Sequence, residues 1–159
     1  MLILVEDLQP QMPIATEVEA WFAKYTHDGY TKGGSMIDPT RLSRLQFVEA
    51  PAFSRHREEY LDDEGFRQLQ HALAANPDAG DLIPGAGGVR KMRWADAGRG
   101  KGKRGGLRII YYCFLSEEEI WLLTLYGKDE ASDLSKDEKA QLKRALEAER
   151  AARKRRGMQ

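Results

Sequence analysis

Eight lysines and arginines crowd the 21 residues from Gly88 to Arg108, GVRKMRWADAGRGKGKRGGLR, against a single acid, Asp96. They are Arg90, Lys91, Arg93, Arg99, Lys101, Lys103, Arg104 and Arg108. The whole chain has a formal charge of zero, so the compensating acids lie elsewhere and the molecule is polarised. Positive charge at this density suits a polyanion, and phosphate above all. Period-two alternation puts Val89, Lys91 and Arg93 on one side of an extended segment, with Arg90, Met92 and Trp94 on the other. Burying Met92 and Trp94 would present Lys91 and Arg93 side by side.

Three strands must position these groups. The spacing predicts them over 89–95, 106–115 and 119–126. The first two flank AGRGKGKRGG, which is too rich in glycine for a helix and too charged to be buried. The second returns Arg108 to the neighbourhood of Arg93. Ile109, Ile110, Tyr111 and Tyr112 supply bulk to both of its faces, as a central strand requires. Ser116–Glu119 is read as the hairpin into the third strand. Upstream, Leu45–Val48 is a short β-prone run. Pro51 opens a helix carrying Phe53, Tyr60 and Leu61, and Asp62 or Asp63 caps a second helix carrying Phe66, Leu69, Ala72 and Leu73. Asn76-Pro77 ends that helix, and DAGDLIPGAGG follows as a loop. Ser135 and Glu138 form a capping box for a last helix, whose apolar face fades into a tail, Arg153-Lys-Arg-Arg156, read as frayed and solvated. The expected fold is α+β, a twisted antiparallel sheet with two N-terminal helices and a C-terminal helix packed on it.

Residues 1–35 differ from the rest. Five acids and two bases give them a net charge of −3, which leaves +3 on the other 124 residues. Thr16-Glu-Val-Glu19 resembles a capping box for a short helix, and Lys32-Gly-Gly-Ser35 has a linker's composition. The division expected is 1–35 as an acidic extension or appended segment, with an ordinary N-terminal strand and helix as the alternative, and 36–159 as the main domain. The first apolar run is too short for a signal peptide and no run reaches membrane-spanning length, so a cytoplasmic location is the default. Cys113 is read as a buried thiol within its strand. His27, His56 and His71 are scattered without ligand-like spacing, and no cofactor or metal site is expected.

NPDAGDLIPGAGGVRKMRW, GRGKGKRGGLRIIYY and LYGKDEASDLS, in that order, carry a resemblance to HigB-type toxins of the RelE/ParE superfamily, covering roughly residues 45–150. The resemblance implies the toxin of a type II toxin–antitoxin pair: a ribosome-dependent endoribonuclease that cuts mRNA and inhibits translation. Its partners would be mRNA on the ribosome, rRNA and a HigA-like, DNA-binding antitoxin, and residues 1–35 would suit a tethered, antitoxin-derived segment joined by the Gly-Gly-Ser linker. Matched to the family's motifs, Lys91 and Arg93 correspond to paired basic residues on the second strand, Arg108 to the arginine that opens the third, and Lys128 to the lysine after the fourth. Where the best-known catalytic member has an arginine after that lysine, this chain has Asp129. Where that member has a C-terminal tyrosine, it has Leu134-Ser135, leaving Tyr126 or Tyr112 as substitutes.

Cleavage of this kind sends the 2′-OH in line at the adjacent phosphorus. It needs a base, positive charge on the phosphorane and an acid for the departing 5′-oxygen. Neighbouring cations favour the neutral form of a lysine, which makes Lys91 the candidate base. Arg93 and Arg108, always protonated, are the phosphate ligands, and such a site needs no metal. Arg90, Arg99, Lys101, Lys103 and Arg104 are read as contacts to the RNA or ribosome backbone, against a plain solvated loop. Met92, Trp94 and Tyr111 are read as core. Arg108 could instead pair with Asp81 or Glu130, and Lys128 could be a surface lysine. A ParE-like inhibitor of DNA gyrase, with no catalysis, is the alternative, and a module that only helps an antitoxin bind its operator ranks last.

Overall fold

A computed structural model describes residues 44–95, 106–114, 118–128 and 133–158, together with the backbone of residues 9 and 10. In chain order the elements are β1 (Gln9–Pro10), β2 (Gln46–Glu49), α1 (Pro51–Tyr60), α2 (Asp63–Ala75), β3 (Asp81–Leu82), β4 (Arg90–Trp94), β5 (Leu107–Phe114), β6 (Glu119–Gly127) and α3 (Lys136–Arg156). The strands form one sheet in the order β1-β2-β6-β5-β4-β3. The α+β architecture and the helix boundaries follow local chemistry. Pro51 occupies the first turn of α1, where its missing N–H is no loss. The Asp62 carboxylate accepts the Gly65 N–H at 2.7 Å. Ser135 and Glu138 close both halves of the capping box at 3.2 and 2.8 Å.

The apolar side chains sort into two clusters, one on each side of the sheet. Phe53, Tyr60, Phe66, Leu69 and Leu73 of α1 and α2 pack with Met92, Leu107, Ile109, Tyr111, Leu122 and Leu125. On the other side Leu142 and Leu146 of α3 pack with Val89, Ile110, Tyr112, Phe114, Trp121, Leu123 and Tyr126. The α1/α2 face and the α3 face therefore each have their own core, and β5 is buried from both sides.

Four expectations change. The sheet is mixed: β2 runs parallel to β6, Gln46 opposite Glu119 and Glu49 opposite Leu122. Side-chain alternation reports which face a residue takes and not its neighbour's direction; here the α1–α2 crossover supplies the connection that a parallel strand needs. The loop before β4 contains a short strand, with Asp81 opposite Lys91 and Leu82 opposite Arg90. The basic tail is helical to Arg156, and it is anchored. Arg153 bonds Glu119 at 2.6 Å and Glu149 at 2.8 Å, and lies 4.0 Å over the Phe114 ring. Cys113 and Trp94 are half-buried rather than sealed in the core. No described helix is long and apolar enough to cross a membrane.

Candidate functional site

β4 fixes the orientation of the basic residues. Met92 enters the α1/α2 core and Trp94 packs against it, so alternation turns Lys91 and Arg93 to the α3 face. β5 sets Arg108 directly opposite Arg93, and β6 sets Tyr126 directly opposite Arg108. Residues opposite one another in an antiparallel pair share a face, so Arg93, Arg108 and Tyr126 form one row across three strands. Tyr126 owes its place to an irregularity. Ile110 pairs with Thr124 but Tyr111 pairs with Leu122, which leaves Leu123 as an extra residue in β6. That bulge moves Tyr126 onto the face of Trp121, and bulges are a common means of re-aiming side chains beside functional sites.

Arg93 is exposed, whereas Arg108 is 8% exposed and, among the described residues, its guanidinium donates only to the Leu107 carbonyl, at 3.3 Å. No described carboxylate pairs with either arginine. The salt bridge between Arg108 and Asp81 does not form, although both residues line the same cavity of about 550 Å³; Glu130 lies outside the described residues. Lys91 and Arg93 line this cavity too, and with Trp94 they wrap it around the end of β4 that β3 leaves uncovered.

Lys91 has a carboxylate for a neighbour. Its ammonium lies 3.2 Å from Asp133, whose other oxygen takes Lys139 at 3.1 Å. Partial burial opposes the charge on Asp133, but bonds from Lys139, the Leu134 N–H and Lys91 outweigh it and hold the carboxyl below the ordinary value of 3.8. This bridge fastens the start of α3 to β4. Lys91 therefore sits in an ion pair, a geometry in which it contributes positive charge; proton abstraction would first require the pair to open. Sequence reasoning did not single out Asp133 or Lys139. The only signal was the acidic run DEASD beside the capping box, with nothing to indicate which basic residue it would meet.

Arg90 stands apart from the row. It points to the α1/α2 side, bonded to Asp78 at 2.7 Å and to the Gly80 carbonyl at 2.8 Å. Lys128 is exposed one residue beyond β6, its N–H bonded to the Gly106 carbonyl at 3.1 Å. Arg99, Lys101, Lys103 and Arg104 lie outside the described residues, as does the helix expected after Thr16.

The two candidate tyrosines are now distinct. The Tyr112 hydroxyl accepts hydrogen bonds from Arg150, from Nε at 2.8 Å and from Nη2. It braces α3 against the sheet, and Gly88 beside it has a φ of 103° and no room for a Cβ, which would come 3.1 Å from the Tyr112 ring. The Tyr126 hydroxyl is buried without a hydrogen-bond partner among the described residues. Burial, aided by the Asp133 charge and opposed by that of Arg108, raises its pKa above the ordinary phenol value of 10.0. His56 is exposed in an ion pair with Glu59 at 3.6 Å. His71 is buried, and burial lowers its pKa from 6.5. Among the described residues no three His, Cys, Asp or Glu side chains gather as a metal site requires. No protein-family model matches this chain.

Proposed function

We propose that this protein is a ribosome-dependent mRNA endonuclease of the RelE/HigB type, the toxin of a type II toxin–antitoxin pair. One observation carries the reading: Arg93 and Arg108 face each other on adjacent strands, with no described carboxylate between them, at a cavity rim. Like charges directly opposite in a sheet are destabilising, so the arrangement makes physical sense when an anion completes it. A phosphodiester is such an anion, and two guanidinium groups can hold its non-bridging oxygens.

In the proposed reaction the 2′-OH upstream of the scissile bond loses its proton and attacks phosphorus, and the P–O5′ bond breaks to leave a 2′,3′-cyclic phosphate and a 5′-hydroxyl protonated from solvent. Arg93 and Arg108 take up the charge growing on the phosphorane. Lys91 adds charge beside them, and accepts the 2′-OH proton only after parting from Asp133. Lys128, exposed just beyond β6, would meet a neighbouring phosphate of an extended strand. The ribosome supplies the remaining orientation, so free RNA is a poor substrate. A HigA-like antitoxin and a cytoplasmic location belong to the same proposal.

Primer extension on mRNA translated in the presence of the protein tests it. Cuts within codons are expected. Intact mRNA together with gyrase-dependent DNA breaks would overturn this reading in favour of a gyrase inhibitor.

A further inference from the structure

Tyr126 shares the row of Arg93 and Arg108 but takes no part in the reaction proposed above. We propose that its hydroxyl is a third donor to the anion held by Arg93 and Arg108, the inner end of a row of donors that runs across β4, β5 and β6. The inference rests on the reading that this row receives a phosphate.

Two observations meet at this point. Tyr126 is 9% exposed and its hydroxyl has no hydrogen-bond partner among the described residues. Buried hydroxyls are rarely left so, because the unmade bond costs free energy that an apolar side chain of the same shape would not. Phenylalanine would fill this position among Leu134, Leu142 and Leu146 equally well. Directly opposite lies Arg108, 8% exposed, most of whose N–H groups meet no acceptor among the described residues. A buried donor and a buried guanidinium with spare hydrogen-bonding capacity, on the same face and in register, point to a shared acceptor. The contrast with Tyr111 and Tyr112 is informative, since both of those hydroxyls are bonded within the protein. The raised pKa of Tyr126 fits as well, because it keeps the phenol protonated and able to donate.

In this proposal the cover over the hydroxyl is the segment that carries Asp133, whose charge acts on Tyr126. Leu134 packs in the same cluster as Tyr126, and Asp133 holds Lys91. An anion that draws Lys91 from Asp133 loosens that cover and reaches the hydroxyl. The proposed order is therefore capture by Arg93 and Lys91 at the rim, then engagement of Arg108 and Tyr126 within.

Tyr126→Phe in the full chain tests this, read by titration with a short single-stranded RNA at fixed salt and by thermal unfolding. The expected result is binding weakened about tenfold, the scale of one hydrogen bond to a charged group, with an unfolding midpoint equal to or above that of the wild type. Wild-type affinity in Tyr126→Phe would overturn the proposal. So would weaker binding with a lowered midpoint, because the hydroxyl would then have a partner inside the protein. Arg108→Ala is the control for the underlying reading. If it binds RNA as the wild type does, the row does not receive a phosphate at all; if it fails to bind while Tyr126→Phe binds normally, only the role of Tyr126 falls.

Discussion

Two tyrosines on neighbouring strands, one on each face of the sheet, leave their buried hydroxyls in opposite states. On the α1/α2 face the Tyr111 hydroxyl donates to the Pro77 carbonyl and accepts from the Gly80 N–H, both at 2.8 Å. The ring lies so close to Gly80 that a Cβ there would come within 2.9 Å of it. The hydroxyl is satisfied as donor and as acceptor, and Tyr111 holds the turn that in turn holds Arg90. On the α3 face the Tyr126 hydroxyl has no partner among the described residues, and Arg108 faces a second arginine in place of an acid. Unspent donors and opposed like charges lower stability. Under the proposed function, the phosphate that binds the Arg93–Arg108 row offsets both costs.

The sharpest way to break this comparison is Arg108→Ala. Cleavage of translated mRNA should fall on the order of 100-fold, the usual loss when one donor to a developing oxyanion is removed. The thermal midpoint should hold or rise, since a like-charge contact disappears. Cleavage at the wild-type rate would place the catalytic charge elsewhere.

Tyr111→Phe should do the reverse. It strands the Gly80 N–H and Pro77 carbonyl, and should cost about 1–3 kcal/mol in denaturant unfolding without changing the cleavage rate. The same residue predicts an alkaline limit. Burial pushes the Tyr111 phenol up to about 12, against the pull of the Gly80 N–H bond, from 10.0 in an exposed tyrosine. The unfolded chain therefore loses this proton first, and the stability tied to it is present below pH 10 and declines as the pH climbs towards 12. Unfolding titrations of Tyr111→Phe should lack that part of the decline.

His71 sets a milder acid limit. Burial lowers its pKa from 6.5, with Glu64 opposing and Arg67 assisting, so below pH 6.5 the unfolded chain binds the proton more readily. Stability from this group is complete above that pH and lost as the pH falls through it. His71→Gln should flatten the acid side of the stability curve. The smallest effect belongs to the cap of α3. Ser135→Ala, which loses the bond to the Glu138 N–H at 3.2 Å, should cost about 1 kcal/mol, measurable in the same unfolding experiment.

How much of this was legible beforehand follows from the range of each signal. Pro51, Asp62 and the Ser135–Glu138 pair act within a few residues, and they mark helix starts as expected. Alternation in β4 separates Lys91 and Arg93 from Met92, again a local matter. Other features depend on partners distant in the chain. The parallel pairing of β2 with β6 depends on the crossover between them. The two-residue β3 is too short to show a period. Tyr126 faces Arg108 because of the bulge at Leu123, and strict alternation counted along β6 would put it on the other face from Trp121. Asp133 meets Lys91 across 42 positions of sequence, and no spacing rule reaches so far. The anchoring of Arg153 was hidden for the same reason, since a run of four basic residues looks solvated until Glu119 and Phe114 are brought beneath it.

The central claim is that the row of Arg93 and Arg108 receives a phosphate while Arg90, equally basic and next to Lys91 in sequence, does not. The slope of log affinity against log salt for a short single-stranded RNA measures it, because each lost phosphate contact lowers the magnitude of the slope by about 0.7. Arg93→Gln and Arg108→Gln should each flatten the slope by roughly that amount, and Arg90→Gln should leave it unchanged. An unchanged slope in Arg108→Gln, or a flattened one in Arg90→Gln, would contradict the account.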